Sequence, residues 1–110
     1  MLVGDAGHTV PPTGAKGLNL AFCDVRVLAP ALVALLRDGD ERPLAGYSGA
    51  ALERVWKAQN FSYWATNLMH VQPGENPFHQ KRRRGEFQAI TGSERGAAYF
   101  AESYTGWPDP

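Results

Sequence analysis

One segment near the amino terminus, residues 4–19, constrains the fold of this chain more than any other. It holds several glycines and two adjacent prolines, Pro11 and Pro12, and it lies between two apolar stretches. Glycine permits backbone angles that other residues avoid, and proline fixes φ and removes a hydrogen-bond donor. The segment is therefore predicted to be a loop of defined shape that joins the end of a strand at residues 1–3 to a helix beginning at Gly17.

The residues after Gly17 predict a long helix. Apolar side chains recur there at steps of three and four, which is typical of a helix with one buried stripe. Pro30 interrupts the pattern and is expected to kink this helix or to split it in two. The helix is predicted to end at residues 38–40. The expected stripe consists of Leu18, Ala21, Phe22, Val25, Leu28, Leu32, Leu35 and Leu36.

Three further helices are predicted downstream. One covers residues 44–68, the next covers residues 78–90, and a Pro- and Gly-containing turn separates them. The last begins at Ser93, a residue type that caps helices. Trp56 and Trp64 of the second helix are expected in the core or at a subunit contact. The predicted fold class is mainly α, with one strand stub followed by about four helices.

Charge and cysteine content exclude several classes of function. Eleven basic residues balance eleven acidic ones, so nothing favours a nucleic-acid or acidic partner, and the basic run at residues 81–84 is interpreted as a solvated helix face. The single cysteine, Cys23, excludes an internal disulfide. The apolar stretch 27–36 is short for a membrane span, and no signal peptide is evident. His70 and His79 lie too far apart to suggest a metal site. A cytoplasmic protein is expected.

The loop residues themselves suggest a ligand. An acidic residue at the carboxyl end of a strand, here Asp5, is well placed to accept hydrogen bonds from a sugar-like chain of hydroxyls. A glycine-rich loop that opens a helix exposes backbone N–H groups at the positive end of the helix dipole, which stabilises an anion such as a reduced flavin. The alternative is a strand–turn–helix connection with no ligand, and the glycines alone would favour it.

The complete string is more specific than its glycines. Residues 4–21 read Gly-Asp-Ala-Gly-His-Thr-Val-Pro-Pro-Thr-Gly-Ala-Lys-Gly-Leu-Asn-Leu-Ala, and Asp24 follows. This resembles the second flavin-contacting motif of class A flavoprotein monooxygenases, and residues 11–21 are particularly similar to the 4-hydroxybenzoate 3-monooxygenase type. The likeness continues to residues 101–106 and so covers nearly the whole chain. Gly7 stands where the family usually has alanine.

The resemblance implies roles for individual residues. Asp5 would bind the ribityl chain of FAD, Leu18 and Asn19 would offer backbone N–H groups to the pyrimidine edge, and Lys16 would add positive charge. The implied cofactor-binding set is Asp5, Gly14, Lys16, Gly17, Leu18 and Asn19.

The resemblance also implies two catalytic residues. The carbonyl of Pro12 would lie near the substrate phenol, and Tyr104 would belong to the proton network that ionises it. Without the resemblance, Tyr104 would be interpreted as a tyrosine packed at a helix end. His8 is interpreted as a structural residue of the loop.

Enzymes of this family reduce FAD with NADPH and use oxygen to hydroxylate an aromatic phenolate ortho to its oxygen, which implies 3,4-dihydroxybenzoate as the product. The chain has no Gly-x-Gly-x-x-Gly motif for the ADP part of FAD. It is therefore expected to be the carboxy-terminal portion of an α/β FAD-binding fold. A single partial domain is predicted, with residues 1–19 forming the strand end and flavin loop and residues 20–110 the helical part.

This chain is expected to be inactive alone and to form a homodimer when full length. Two alternatives stay open, namely a related hydroxylase acting on another phenol and a free-standing helical module that pairs with an FAD-binding polypeptide or with itself. Without neighbouring strands to cover it, much of the apolar stripe on the first helix is expected to face water, which favours a partner or aggregation.

Overall fold

The computed structural model describes residues 1–107. Within this range a short 3-10 turn, Gly4–Ala6, precedes four helices, which are α1 (Lys16–Asp38), α2 (Arg42–Met69), α3 (Pro77–Thr91) and α4 (Glu94–Thr105). The chain divides into two compact units, Met1–Ser62 and the residues from Tyr63 onward. The mainly α fold class predicted from the sequence is confirmed, and each predicted helix is present within a few residues of its expected bounds.

The predicted strand at residues 1–3 is wrong, because residues 1–107 contain no strand. Val3 has extended backbone angles (φ −136°, ψ 139°), but the backbone groups around it bond elsewhere. The N–H of Gly4 donates to the Asp24 carboxylate at 2.9 Å, and the carbonyl of Leu2 accepts from the Tyr47 hydroxyl at 2.9 Å. Side chains of α1 and α2 thus form the hydrogen bonds with these backbone groups that a neighbouring strand would form in a sheet.

α1 runs unbroken through Pro30, so of the two expectations at this proline the split is wrong and the kink stays a prediction. Proline removes the donor that would serve the carbonyl of Arg26. Both residues are exposed, so the missing bond leaves no buried backbone group without a partner and the helix continues. The helix ends at Gly39, whose φ is +68°, where the N–H groups of Gly39 and Asp40 donate to the carbonyls of Leu35 and Ala34.

The buried face of α1 differs from the predicted stripe. Its buried residues include Leu20, Asp24, Leu28 and Ala31. A purely apolar pattern misses this face because a carboxylate lies in the middle of it. The expected water-facing apolar surface is confirmed, and its members are Leu18, Phe22, Val25, Val33 and Leu36, each at least half exposed.

α1 is also long and apolar enough to cross a membrane by length and composition. The helix is longer than residues 27–36, the apolar stretch that was judged too short for a membrane span from the sequence. This is weak evidence for a membrane, because the core helix of a soluble protein passes the same test.

The second unit contains the end of α2 together with α3 and α4. Asn76 caps α3 by accepting from the N–H of His79, and Ser93 caps α4 by accepting from the N–H of Gly96, as predicted for Ser93. Trp64 packs with its ring centroid 5.8 Å from that of Phe100 and donates from Nε1 to Glu86 at 2.8 Å.

Trp56, in contrast, is 68% exposed, so it is not a core residue of this chain, and the alternative of a subunit contact stays a prediction. Three of the four basic residues 81–84 are exposed, in agreement with a solvated helix face. The fourth, Arg83, is half-buried and pairs with Glu75.

Candidate functional site

The turn at Gly4–His8 forms the first part of the candidate site. The N–H groups of Gly7 and His8 both donate to the carbonyl of Gly4, at 2.9 and 3.0 Å. Gly4 is buried with φ +61°, and a Cβ there would lie 3.2 Å from the Cβ of Ala21. Glycine is needed here both for the backbone angle and for close packing against α1. Asp5 lies at the centre of this turn and is exposed.

A buried pair joins this turn to α1. Oδ2 of Asp24 lies 2.6 Å from Nε2 of His8, and the two side chains are 3% and 8% exposed. Because a carboxylate only accepts, Nε2 is the ring nitrogen that carries the donated proton. Nδ1 of His8 is buried and has no hydrogen-bond partner. These contacts agree with a structural role for His8.

The loop between the turn and α1 is held in several places. The carbonyl of Pro12 accepts from the N–H of Ala15 at 2.9 Å, and Nε2 of Gln59 donates to the carbonyl of Thr9 at 2.6 Å. Gly14 has φ +85°, and Ala15 has φ +51°, a left-handed conformation that alanine rarely adopts. The strained step at Ala15 turns the chain directly into the first residue of α1.

The first turn of α1 is open. Its N-cap residue, Ala15, makes no side-chain capping bond, and Leu18 and Asn19 are exposed. A Cβ on Gly17 would meet only the Cγ2 of Val10, at 4.0 Å, so the space beside this turn is accessible. The first N–H groups of a helix have no partner within the helix and lie at the positive end of its dipole. This end of α1 is therefore suited to a polar or anionic ligand.

Lys16 lies behind the loop and not at its surface. The side chain is only 5% exposed, and Nζ lies 5.1 Å from the centroid of the Phe61 ring. Burial lowers the pKa of the Lys16 ammonium below its ordinary value of 10.5. The residue supplies positive charge close to the open end of α1.

The lowered pKa of Lys16 predicts a stability difference that depends on pH. Between the folded-state pKa and 10.5 the unfolded chain binds more protons at this residue, so the free energy of unfolding rises with pH in that window. Lys16→Met removes the effect. Urea unfolding from neutral pH to pH 10.5 should show the wild type gaining stability relative to the variant. Parallel stability curves for the two proteins would contradict the prediction.

The predicted cofactor residues and Pro12 all lie in the first unit, on the turn, the loop and the first turn of α1. Tyr104 lies in α4 of the second unit and is 53% exposed, so it is not packed as a helix-end core tyrosine. Cys23 is half-buried, and its sulfur accepts from Nη1 of Arg54 at 3.3 Å.

The sequence assigned no role to three structural residues of the site. They are Asp24, Tyr47 and Gln59, and all three bond to the first nine residues of the chain. Burial, and then the charge of Asp24, raise the pKa of the Tyr47 phenol. The signal that could have found Asp24 is a lone carboxylate on an otherwise apolar helix face.

Comparison with known proteins agrees with this geometry. The chain is 47% identical over 107 residues to a p-hydroxybenzoate hydroxylase of Acinetobacter baylyi, an alignment that covers 97% of this chain and 26% of that protein. The chain therefore spans about a quarter of the length of this relative. The family described as FAD binding domain matches residues 1–62. These residues include the turn, the loop and the open end of α1, and they make up more than half of the sequence. The chain therefore belongs to the FAD binding domain family.

Proposed function

We propose that this chain supplies flavin contacts to an FAD-dependent aromatic hydroxylase that uses NADPH to convert 4-hydroxybenzoate to 3,4-dihydroxybenzoate. The observation that carries the proposal is the first turn of α1, where Leu18 and Asn19 are exposed and the N-cap residue, Ala15, makes no side-chain hydrogen bond. This turn follows directly on the glycine- and proline-rich loop. The name and the 47% identity of the Acinetobacter relative support the choice of substrate.

The residues at this end of the first unit fit a flavin. The backbone N–H groups of Leu18 and Asn19 would hold the pyrimidine edge, where negative charge develops on reduction, and the dipole of α1 favours that charge. The exposed carboxylate of Asp5 would accept hydrogen bonds from the ribityl hydroxyls. Gly17 keeps a side chain away from the approach to α1, and Gly14 lets the loop pack closely against the buried ring of Phe61. When bound, FAD supplies the redox and oxygen chemistry that amino acid side chains lack.

Pro12 and Tyr104 would serve the aromatic substrate. The carbonyl of Pro12 already accepts from Ala15 and has a second lone pair that can accept from a phenol. A tyrosine hydroxyl both donates and accepts, so Tyr104 can pass on the proton that the phenol loses. Ionisation of the phenol makes the ring more electron-rich, which favours hydroxylation next to the phenol oxygen.

We further propose that the hydroxylase is a cytoplasmic homodimer with no nucleic-acid or membrane partner. The balanced charge of the chain gives no electrostatic attraction to nucleic acid. A membrane-spanning α1 would have to carry Asp24 and Pro30 in its interior, and an ionised residue there is costly. Protein is thus the favoured cover for the exposed apolar surface of α1.

A chimera tests the hydroxylase proposal. The segment of the Acinetobacter p-hydroxybenzoate hydroxylase that aligns with this chain is replaced by this chain. The chimera is expected to retain FAD and to form 3,4-dihydroxybenzoate from 4-hydroxybenzoate and NADPH. Tyr104→Phe in the chimera should keep the FAD but slow product formation about a hundredfold, as expected for loss of a proton-transfer group.

Two outcomes of the chimera experiment separate the parts of the proposal. A folded chimera that holds no FAD would reject the flavin site. A chimera that holds FAD but hydroxylates no 4-hydroxybenzoate would reject the substrate, and a panel of other phenols would then identify a different hydroxylase.

A further inference from the structure

We propose that Asp24 is a positioning residue that holds Asp5 at a fixed distance from the first turn of α1. The inference rests on the proposed flavin site and adds to it a residue that touches no flavin. Asp24 acts through the Gly4–His8 turn, which carries Asp5 at its centre.

One atom of Asp24 holds both ends of this turn. Oδ2 accepts from the backbone N–H of Gly4 at 2.9 Å and from Nε2 of His8 at 2.6 Å. Gly4 and His8 lie on either side of Asp5, and the N–H of His8 also donates to the carbonyl of Gly4. The backbone segment that carries Asp5 is therefore hydrogen-bonded at both of its ends to the same carboxylate oxygen.

The same carboxylate belongs to the helix that would hold the flavin ring. Asp24 and Leu18 lie on α1, separated along the helix axis by about 9 Å at 1.5 Å per residue. Because α1 is rigid, this separation fixes how far the turn lies from the open end of the helix. The ring and the ribityl chain of a flavin are covalently joined, which limits the distance between them. Both contacts therefore form together only when the distance from the Gly4–His8 turn to the first turn of α1 matches the distance from the ribityl chain to the ring edge.

Burial argues that an aspartate has this role. Asp24 is 3% exposed on a helix face whose neighbouring buried residues are Leu20 and Leu28. Burying a carboxylate is unfavourable unless it is hydrogen-bonded, and an apolar residue of similar size would pack there without that penalty. What the carboxylate adds is its grip on Gly4 and His8. The His8 ring has no second polar contact, because its Nδ1 has no hydrogen-bond partner.

Two ligands distinguish positioning from general structural support. Riboflavin carries the ribityl chain, and lumiflavin has the same ring with a methyl group in its place. A displaced Asp5 should weaken only riboflavin binding, whereas a damaged first unit should weaken the binding of both ligands. The affinity ratio of the two ligands is therefore the informative quantity.

The experiment uses the full 110-residue chain and four variants, Asp24→Leu, Asp24→Asn, His8→Leu and His8→Gln. NMR titration gives the affinity for each ligand, and amide exchange reports on the N–H of Gly4. In Asp24→Leu we expect about a tenfold loss of the riboflavin preference and faster exchange at Gly4, as for one lost hydrogen bond to a charged group. His8→Leu should lose part of the preference, and His8→Gln, which retains a donor, should keep it. Asp24→Asn retains an acceptor for Gly4 and should fall between wild type and Asp24→Leu.

The outcomes separate this inference from the proposed function. A wild-type chain that prefers riboflavin, with an unchanged ratio in Asp24→Leu, would overturn the positioning role and leave the flavin site intact. Equal losses for both ligands would also overturn it, because that result indicates structural damage. A wild-type chain that binds neither ligand would reject the flavin site in this chain and with it the flavin role of Asp24. If Asp24→Leu fails to fold, the comparison of His8→Leu with His8→Gln decides the question.

Discussion

Replacing Gly14 by alanine is expected to destabilise the first unit by about 3 kcal/mol, of which about 1 kcal/mol comes from the backbone and the rest from overpacking. Gly14 has φ +85°, a conformation that alanine adopts only with strain. An added Cβ would lie 2.9 Å from Cε1 of Phe61, well inside contact distance. Phe61 is 2% exposed and has Lys16 over its ring, so it has little room to move. Urea unfolding followed by circular dichroism measures the loss.

Gly74→Ala is the matched control for this substitution. Gly74 has a similar φ of +74°, but nothing lies within 4 Å of the Cβ that alanine would add. It should therefore show the backbone strain without the clash, a loss of about 1 kcal/mol. Equal losses of stability in the two variants would mean that the Phe61 side chain moves aside without an energetic penalty. That result would contradict tight packing of the loop against α2.

Gly14 also shows how much of the site could be predicted from the sequence. The glycine and proline pattern predicts a loop of defined shape ahead of a helix, because these residues act through their own backbone angles. Nothing in that pattern identifies Phe61 as the side chain that fills the space beside Gly14. The two residues are far apart in sequence, and their contact depends on how α2 folds back onto the loop.

Residues 1–3 and Trp56 mark the same limit in the fold. An apolar triplet before a glycine is compatible with a strand, but a strand forms only where another strand pairs with it. Here Asp24 and Tyr47 take the backbone groups around that triplet. Helical periodicity predicts α2, yet its spacing does not determine which face is buried, so Val55 is buried and Trp56 beside it is exposed. The cap at Ser93, which depends on neighbouring residues alone, was predicted correctly.

Asp24 shows why the candidate site could be predicted only in part. The motif at residues 4–21 indicates which residues would contact a flavin, since those contacts use local backbone and one exposed carboxylate. The support behind them lies outside the motif, in Asp24, Tyr47 and Gln59. A carboxylate on an apolar helix looks like a surface residue until the structure shows that it is buried.

The second large effect is expected at Arg83, where substitution by methionine should destabilise the second unit by about 3 kcal/mol. Nη1 of Arg83 donates to both carboxylate oxygens of Glu75, at 2.9 and 2.8 Å, and to the carbonyl of His70 at 2.7 Å. The two side chains are only 16% and 8% exposed. These bonds tie α3 to the turn that follows α2, so their loss should release the start of α3. Urea unfolding and amide exchange in α3 measure the effect.

Arg82→Met is the matched control, because it removes the same charge from an exposed neighbour on the same helix and should change stability by less than about 0.5 kcal/mol. Most of the Arg83→Met loss should come from the Glu75 carboxylate, which would stay poorly solvated with no cation beside it. Adding Glu75→Gln to Arg83→Met should therefore restore about half of the lost stability, since it removes the buried charge. If Arg82→Met and Arg83→Met instead change stability by equally small amounts, the Arg83–Glu75 contact is an ordinary surface ion pair, which contributes under about 1 kcal/mol. The turn before α3 would then depend on the Asn76 cap and on the backbone bond from the N–H of Glu75 to the carbonyl of Gln72.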